Sequence, residues 1–257
     1  MNSFTKFIYL VVALCVIFLV IYFYKSYKTE TISKENILVV GTSADYPPFS
    51  FIENDIIVGF DIDIIKEIGS RLDKKIKLKD LPFDILLPEI QIGNIDVVAA
   101  GWTETSERAK RVLFTKPYLS DDPLLVITRS NDVITSLADL NGKEVVVNEG
   151  YTADLYMSNI SGPIIKRLAM VTDGFLALTS GRVFAFIASK IAVKTFFDLY
   201  GTSKFNIFVI PNIKETYSLA ITTKRSELLP EIQKVLEDME YDGKLKELKL
   251  KWGISSD

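Results

Sequence analysis

Between Ile95 and Arg108 the chain runs from a short apolar stretch, Ile95-Asp96-Val97-Val98-Ala99-Ala100, into Gly101, Thr103, Thr105 and Arg108. The apolar stretch suits a buried strand. Thr105 suits the N-cap of a following helix, and Glu107 in its first turn complements the helix dipole. Gly101 admits close approach to the backbone, Thr103 carries a hydroxyl donor, and the Arg108 guanidinium can fork onto a carboxylate. A strand, a glycine-threonine turn, a helix start and an arginine together form a receptor for a small anion. The same pattern also fits an ordinary strand-to-helix turn with a surface arginine, and the segment alone leaves both open.

Other chemistries are excluded by what the chain lacks. There is no histidine, which removes the commonest general base and the commonest metal ligand. Cys15 is the sole cysteine, so neither a disulfide nor a cysteine-based metal site can form within the chain. A Ser-His-Asp triad and a zinc hydrolase site are ruled out, and no cofactor is expected. A net charge of −3 argues against nucleic acid as a partner. Asp61 is expected to cap a helix and Asp63 to sit in its first turn; neither is expected to act as a catalyst.

The elements that must position Gly101, Thr103 and Arg108 alternate between strand and helix patterns, which argues for an α/β fold. The 257 residues suffice for one large domain or two small ones. Ile37 to Gly41 reads as a first strand. Asp45-Tyr46-Pro47-Pro48-Phe49 reads as a loop, because two prolines oppose helix and ladder alike. Phe51-Ile52 and Ile56 to Val58 flank a hairpin-like turn at Glu53-Asn54-Asp55. Ile62, Ile65, Ile68 and Leu72 recur at helical spacing. Further strands are expected at 76–81, 124–128, 144–148, 185–188, 205–210 and 217–222. Helices are expected at about 82–91, 137–143, 152–157, 173–179, 191–199, 228–239 and 245–252.

Phe7 to Tyr24 is apolar and uncharged, close to the minimum of roughly 17 residues for a membrane-spanning helix. Tyr9, Tyr22 and Tyr24 lie towards its ends, where aromatic belts sit. No small-x-small cleavage site follows it, and Leu14 stands where a lipoprotein signal before Cys15 needs a small residue. An uncleaved membrane anchor over 7–24 is therefore expected, with residues 1–35 as anchor and tether. Lys6 before the run and Lys25 and Lys28 after it leave the orientation open.

From about Ile37 to Trp252 the chain resembles the bacterial extracellular solute-binding proteins of family 3, the polar amino-acid type. The resemblance rests on Gly41-Thr42 with Tyr46-Pro47-Pro48-Phe49, on Gly59-Phe60-Asp61-Ile62-Asp63, and on Phe83-Asp84 with Leu87-Pro88. It continues through Gly93-Asn94-Ile95-Asp96, Thr105-Ser106-Glu107-Arg108-Ala109, Phe114-Thr115-Lys116-Pro117-Tyr118, Gly181-Arg182 and Asp242-Gly243 with Lys251-Trp252-Gly253. It implies a two-lobe periplasmic-binding-protein-like II fold, a Venus flytrap, over residues 36–257. Lobe one would take about 36–119 and 217–257, lobe two about 120–216, with two crossing strands and the ligand between the lobes. It implies that Arg108 pairs with the ligand's carboxylate, that Gly101 and Thr103 donate beside it, and that Tyr46 and Phe83 wall the side chain. Thr152 would add a donor from lobe two. Glu215 falls in the second crossing and is expected to be structural; Trp102 either lines the cleft or packs behind the loop.

Two positions depart from the family pattern. Where the family carries acids to receive an ammonium group, this chain has Ser43 and Ser189. An ammonium closed into a cleft without a carboxylate loses several kcal/mol of pairing. The resemblance thus implies a small carboxylate-bearing solute that is a poor match to an ordinary zwitterionic amino acid. The function it implies is a membrane-tethered, extracytoplasmic binding protein that delivers its solute to the permease of an ABC importer. A cyclohexadienyl dehydratase on the same fold would need a cleft acid. A ligand sensor would need a signalling region beyond residue 257.

Overall fold

The computed structural model describes residues 15–23 and 36–254. It has two α/β lobes, each built on a five-stranded sheet. The first sheet has the order Lys75–Asp80, Ile37–Thr42, Val97–Val98, Ala220–Ile221, Leu113–Phe114. Its first three strands are parallel, and Ala220–Ile221 runs antiparallel to both neighbours. The second sheet has the order Ile164–Leu168, Glu144–Asn148, Ala185–Ser189, Leu119–Arg129, Phe205–Tyr217, parallel over its first three strands. Leu119–Arg129 and Phe205–Tyr217 pair antiparallel with each other and carry the chain between the lobes. Their lobe-one ends are tied down where Ser218 N–H donates to Trp102 at 2.8 Å and Tyr118 N–H donates to Tyr217 at 2.9 Å.

The helical spacing of Ile62, Ile65, Ile68 and Leu72 forms the helix Phe60–Arg71, whose buried side packs on Lys75–Asp80 and on the C-terminal helices Leu228–Tyr241 and Lys244–Lys251. Asp63 in its first turn accepts from the Trp252 indole at 2.9 Å and pairs with Lys251 at 2.7 Å. It thereby fastens the end of the chain to its first helix. Alternating burial along Ile37–Thr42 turns Leu38 and Val40 into the lobe-one core. Leu124, Val126, Val145, Val147, Ile187 and Met157 form a separate core in lobe two. Asn54 and Asp55 take positive φ values of 50° and 62° in the hairpin turn between Ser50–Glu53 and Ile56–Val58. Short polar side chains tolerate that region.

Several expectations change. The crossing strands run through Pro123 and Pro211, although the sequence reading broke them there. Both prolines stand where a ladder has a free side. Ala185–Ser189 pairs only with residues 124–128 of its neighbour, and Phe205–Tyr217 is the edge strand, with a register shift between Val209 and Lys214. Ile164–Leu168 is an unanticipated edge strand, with Lys166 and Arg167 exposed. Asp61 is not a cap. Its helix starts at Phe60 after Gly59, and Asp61 is fully buried. The expected membrane anchor at 7–24 and the tether to residue 35 lie largely outside the described residues. Residues 15–23 are helical and exposed, and among the described residues no helix is long and apolar enough to cross a membrane.

Candidate functional site

The site lies where loops of both lobes meet the crossing strands. Lobe one contributes Tyr46, Phe83 at the start of a 3₁₀ turn, the Gly101-Trp102-Thr103 loop and Arg108. Lobe two contributes Gly150, Tyr151 and Thr152 at the start of the helix Thr152–Met157, and Ser189 at the start of the helix Lys190–Tyr200. The crossing strands supply Asp122, Glu215 and Tyr217.

Arg108 sits in one 3₁₀ turn, Arg108–Lys110, in place of the expected helix. Thr105 still accepts the Arg108 N–H at 3.2 Å. The side chain is drawn inward and is buried. Its Nη1 donates to the Thr103 carbonyl at 2.7 Å, and its Nη2 donates across the lobes to the Gly150 carbonyl at 2.8 Å. The guanidinium lies 4.7 Å from the centroid of the Trp102 ring and 5.6 Å from that of Phe83, both favourable for a cation over a π face. Trp102 is therefore the floor under the arginine. Burial lowers the Arg108 pKa to about 10, opposed chiefly by Glu215, so the side chain remains a cation at neutral pH. Both of its hydrogen bonds go to main-chain carbonyls. Glu215 meets its charge only at longer range.

Gly101 has φ +59°, and a Cβ there would lie 2.7 Å from Cε1 of Tyr46. The group that approaches this glycine closely is thus the Tyr46 ring. The Gly101 N–H donates to Asp61 at 2.6 Å, and Asp61 also accepts from the Tyr118 hydroxyl at 2.7 Å. Burial pushes the Asp61 pKa up to about 6 despite these two bonds.

Thr103 and Thr152, one from each lobe, donate to the same oxygen of Glu215 at 2.7 and 3.4 Å. Glu215 is buried, and burial pushes its pKa up to about 7. Ser189 shares hydrogen bonds of 3.1 Å with the hydroxyls of Tyr46 and Tyr217, and its Oγ accepts from the Ala192 N–H at 3.4 Å. Tyr217 also donates to Asp122 at 2.6 Å, and burial raises the Asp122 pKa. Ser43 stands apart from this cluster. It donates to Asp45 at 2.9 Å, and Asp45 accepts the Val171 N–H of lobe two at 3.1 Å.

Arg108, Thr103, Thr152, Tyr46, Phe83 and Ser189 therefore converge, while Ser43 lies beside them and Gly101 turns its N–H away. Sequence reasoning missed Asp122, Tyr151 and Tyr217, and it assigned Glu215 to the frame alone. The expected lack of a cleft acid does not hold, because Glu215 and Asp122 bring carboxylates into it from the crossing strands. Their signal was faint: one buried acid each on a strand that also carries exposed charges such as Asp121 and Lys214.

Comparison with known proteins agrees with this fold. The arginine-binding extracellular protein ArtP of Bacillus subtilis is 33% identical over 256 residues, covering 96% of this chain and 97% of its own. An ancestral arginine-binding protein bound to arginine superimposes with a TM-score of 0.78 at 35% identity, covering 84% of this chain and 98% of that one. An ancestral arginine-binding protein bound to glutamine gives 0.79 at 35% identity, covering 86% and 99%. These relatives are binding proteins, and this chain is likewise a binding protein rather than an enzyme. The sequence pattern of the bacterial extracellular solute-binding proteins, family 3, matches residues 38–255. With the two lobes, the crossing strands and the buried interlobe cluster, that match makes the chain a member of this family of extracytoplasmic solute-binding proteins.

Proposed function

We propose that this protein is the amino-acid-binding component of an ABC importer and holds its solute between the lobes. The observation that carries this reading is the presence of a buried guanidinium, Arg108, and a buried carboxyl group, Glu215, in one interlobe site, each hydrogen-bonded to Thr103. A zwitterion needs both charges. Arg108 takes the solute's carboxylate by exchanging its carbonyl partners for a bidentate ion pair. Thr103 and Thr152 place their hydroxyls beside it. Glu215, with Asp122 behind it, receives the ammonium that Ser189 cannot. Ser189 instead orients Tyr46 and Tyr217, and Ser43 orients Asp45 at the lobe contact. Tyr46 and Phe83 form apolar walls, and Gly101 gives the turn its shape.

Titration calorimetry of the full chain in detergent against the standard L-amino acids tests this. At least one should bind, and both Arg108→Ala and Glu215→Gln should lose it. Binding of simple carboxylic acids alone, unchanged by Glu215→Gln, would remove the amino acid from the proposal.

Attachment to the membrane through residues 7–24 belongs to the same proposal, supported by the uncharged apolar run. The intact protein should sediment with membranes and resist alkaline extraction. Recovery of an N-terminally trimmed protein in the soluble fraction would refute it.

A further inference from the structure

Tyr151 occupies the space between the lobes beside Arg108. Its ring lies flat on Phe83, with centroids 3.7 Å apart and planes at 19°, and meets Tyr46 edge-on at 5.2 Å and 71°. A face-to-face stack at that spacing leaves no layer between Tyr151 and Phe83 for another group. All three rings are buried, Tyr151 at 7% exposure. Residue 150, directly before it, carries the carbonyl that Arg108 Nη2 binds. The Tyr151 ring thus belongs to the residue next to a carbonyl that a carboxylate on Arg108 would have to displace. A cavity of about 990 Å³ exists beside the crossing strands, but its lining includes Pro117, Lys190 and Trp252 and none of Tyr46, Phe83, Arg108 or Tyr151.

The Tyr151 hydroxyl is an independent pointer. It is buried and has no hydrogen-bond partner among the described residues. A buried tyrosine normally satisfies its hydroxyl, and an orphan is costly. The backbone at this position does not need the ring either. Tyr151 is the N-cap of the helix Thr152–Met157, with φ −72° and ψ 164°, and it makes no side-chain cap bond. Smaller polar residues fill that position better.

Resting on the amino-acid reading above, we infer that Tyr151 sets the size limit of the solute. Its ring takes the place of a ligand side chain between Phe83 and Tyr46, and its free hydroxyl is left for the solute's own polar atoms. The cleft then accepts a small amino acid of the glycine, alanine or serine class and excludes long side chains. This selectivity is steric: the excluded ligand must unstack Tyr151 from Phe83 before its carboxylate reaches Arg108.

The test is titration calorimetry of the full chain and two variants with glycine, L-alanine, L-serine, L-glutamine and L-arginine. The wild type should bind the best of the three small amino acids at least about tenfold tighter than arginine, the scale of a steric mismatch in a closed pocket. Tyr151→Ser, which supplies a better N-cap, should gain at least about tenfold for arginine or glutamine. Tyr151→Phe keeps the ring and should go on excluding arginine. Tight arginine binding by the wild type, equal to that of Tyr151→Ser, would overturn the role of Tyr151 and leave the amino-acid reading standing. Binding of no amino acid by any of the three proteins would overturn both.

Discussion

At the scale of single residues the site is a small set of buried charges held by weak partners. Among the described residues the Arg108 side chain has carbonyl acceptors and aromatic faces but no direct carboxylate partner. Arg108→Ala should weaken solute binding by at least about 2 kcal/mol, the lower range for truncating a buried charge partner, read by calorimetry. It should also lower stability by about 1–2 kcal/mol, because the Thr103 and Gly150 carbonyls lose their donors. Among the described residues Glu215 accepts hydrogen bonds only from hydroxyls, and burial holds its pKa near 7 against an ordinary 4.5. The folded state thus retains a proton that the unfolded chain releases. Stability from this group is present below about pH 4.5 and is lost as pH rises towards 7, by roughly 3 kcal/mol at about 1.4 kcal/mol per pKa unit. Asp61 acts in the same direction over the lower range, from 3.8 to about 6. Thermal melts of the ligand-free protein should show the decline, and Glu215→Gln should flatten its upper part. If Glu215 receives an ammonium, amino-acid affinity should rise over the same interval, because the bound state needs the carboxylate ionised. A melting temperature independent of pH from 4.5 to 7 would contradict the burial of an unneutralised acid.

At the scale of elements, the turn 101–103 couples the lobe-one sheet to the site. Gly101→Ala must place a methyl at φ +59° against the Tyr46 ring. It should cost about 2 kcal/mol or more from backbone strain and lost packing and should displace Tyr46 from Ser189. Denaturant melts and calorimetry would register both effects; wild-type stability with wild-type affinity would show that neither contact matters. Helical periodicity made Phe60–Arg71 legible, and the Asn54-Asp55 turn marked the hairpin. The helix start Thr152–Met157 also stands where the pattern put it. The crossing strands were harder to read. Pro123 and Pro211 signal a break in a ladder, and only sheet order reveals that each sits on an unpaired side. Ile164–Leu168 escaped notice because an edge strand with exposed lysine and arginine lacks the apolar run of a buried one. The expected helix after Thr105 is a single 3₁₀ turn, within which Arg108 turns inward onto Trp102.

At the scale of the whole molecule, the two lobes touch through Arg108 and Gly150, Tyr46 and Ser189, Asp45 and Val171, and the Phe83–Tyr151 stack. Arg108, Tyr46 and Phe83, which are proposed to bind solute, also make these lobe contacts, so solute binding is expected to be coupled to them. A solute that binds only the folded protein should raise its stability by about 2.7 kcal/mol at a hundredfold excess over Kd. A thermal-shift screen of the full chain would detect it, and no shift with a solute that calorimetry shows to bind would disconnect the cleft from the fold. The sequence by itself determined the α/β class and the absence of histidine and disulfide chemistry, and its motifs single out Arg108 as the residue to test for anion binding. These follow from composition and from periods and motifs that are local in the chain. Tertiary structure alone decided where the acids stand. Glu215 reaches Thr103 across a separation of 112 residues, and Asp122 reaches Tyr217 across 95. It also decided that Tyr151, unremarkable in sequence, is buried against Phe83 of the opposite lobe. Burial, the raised pKa values and the stacking of rings from opposite lobes depend on which distant segments exclude water together. No local pattern carries that information.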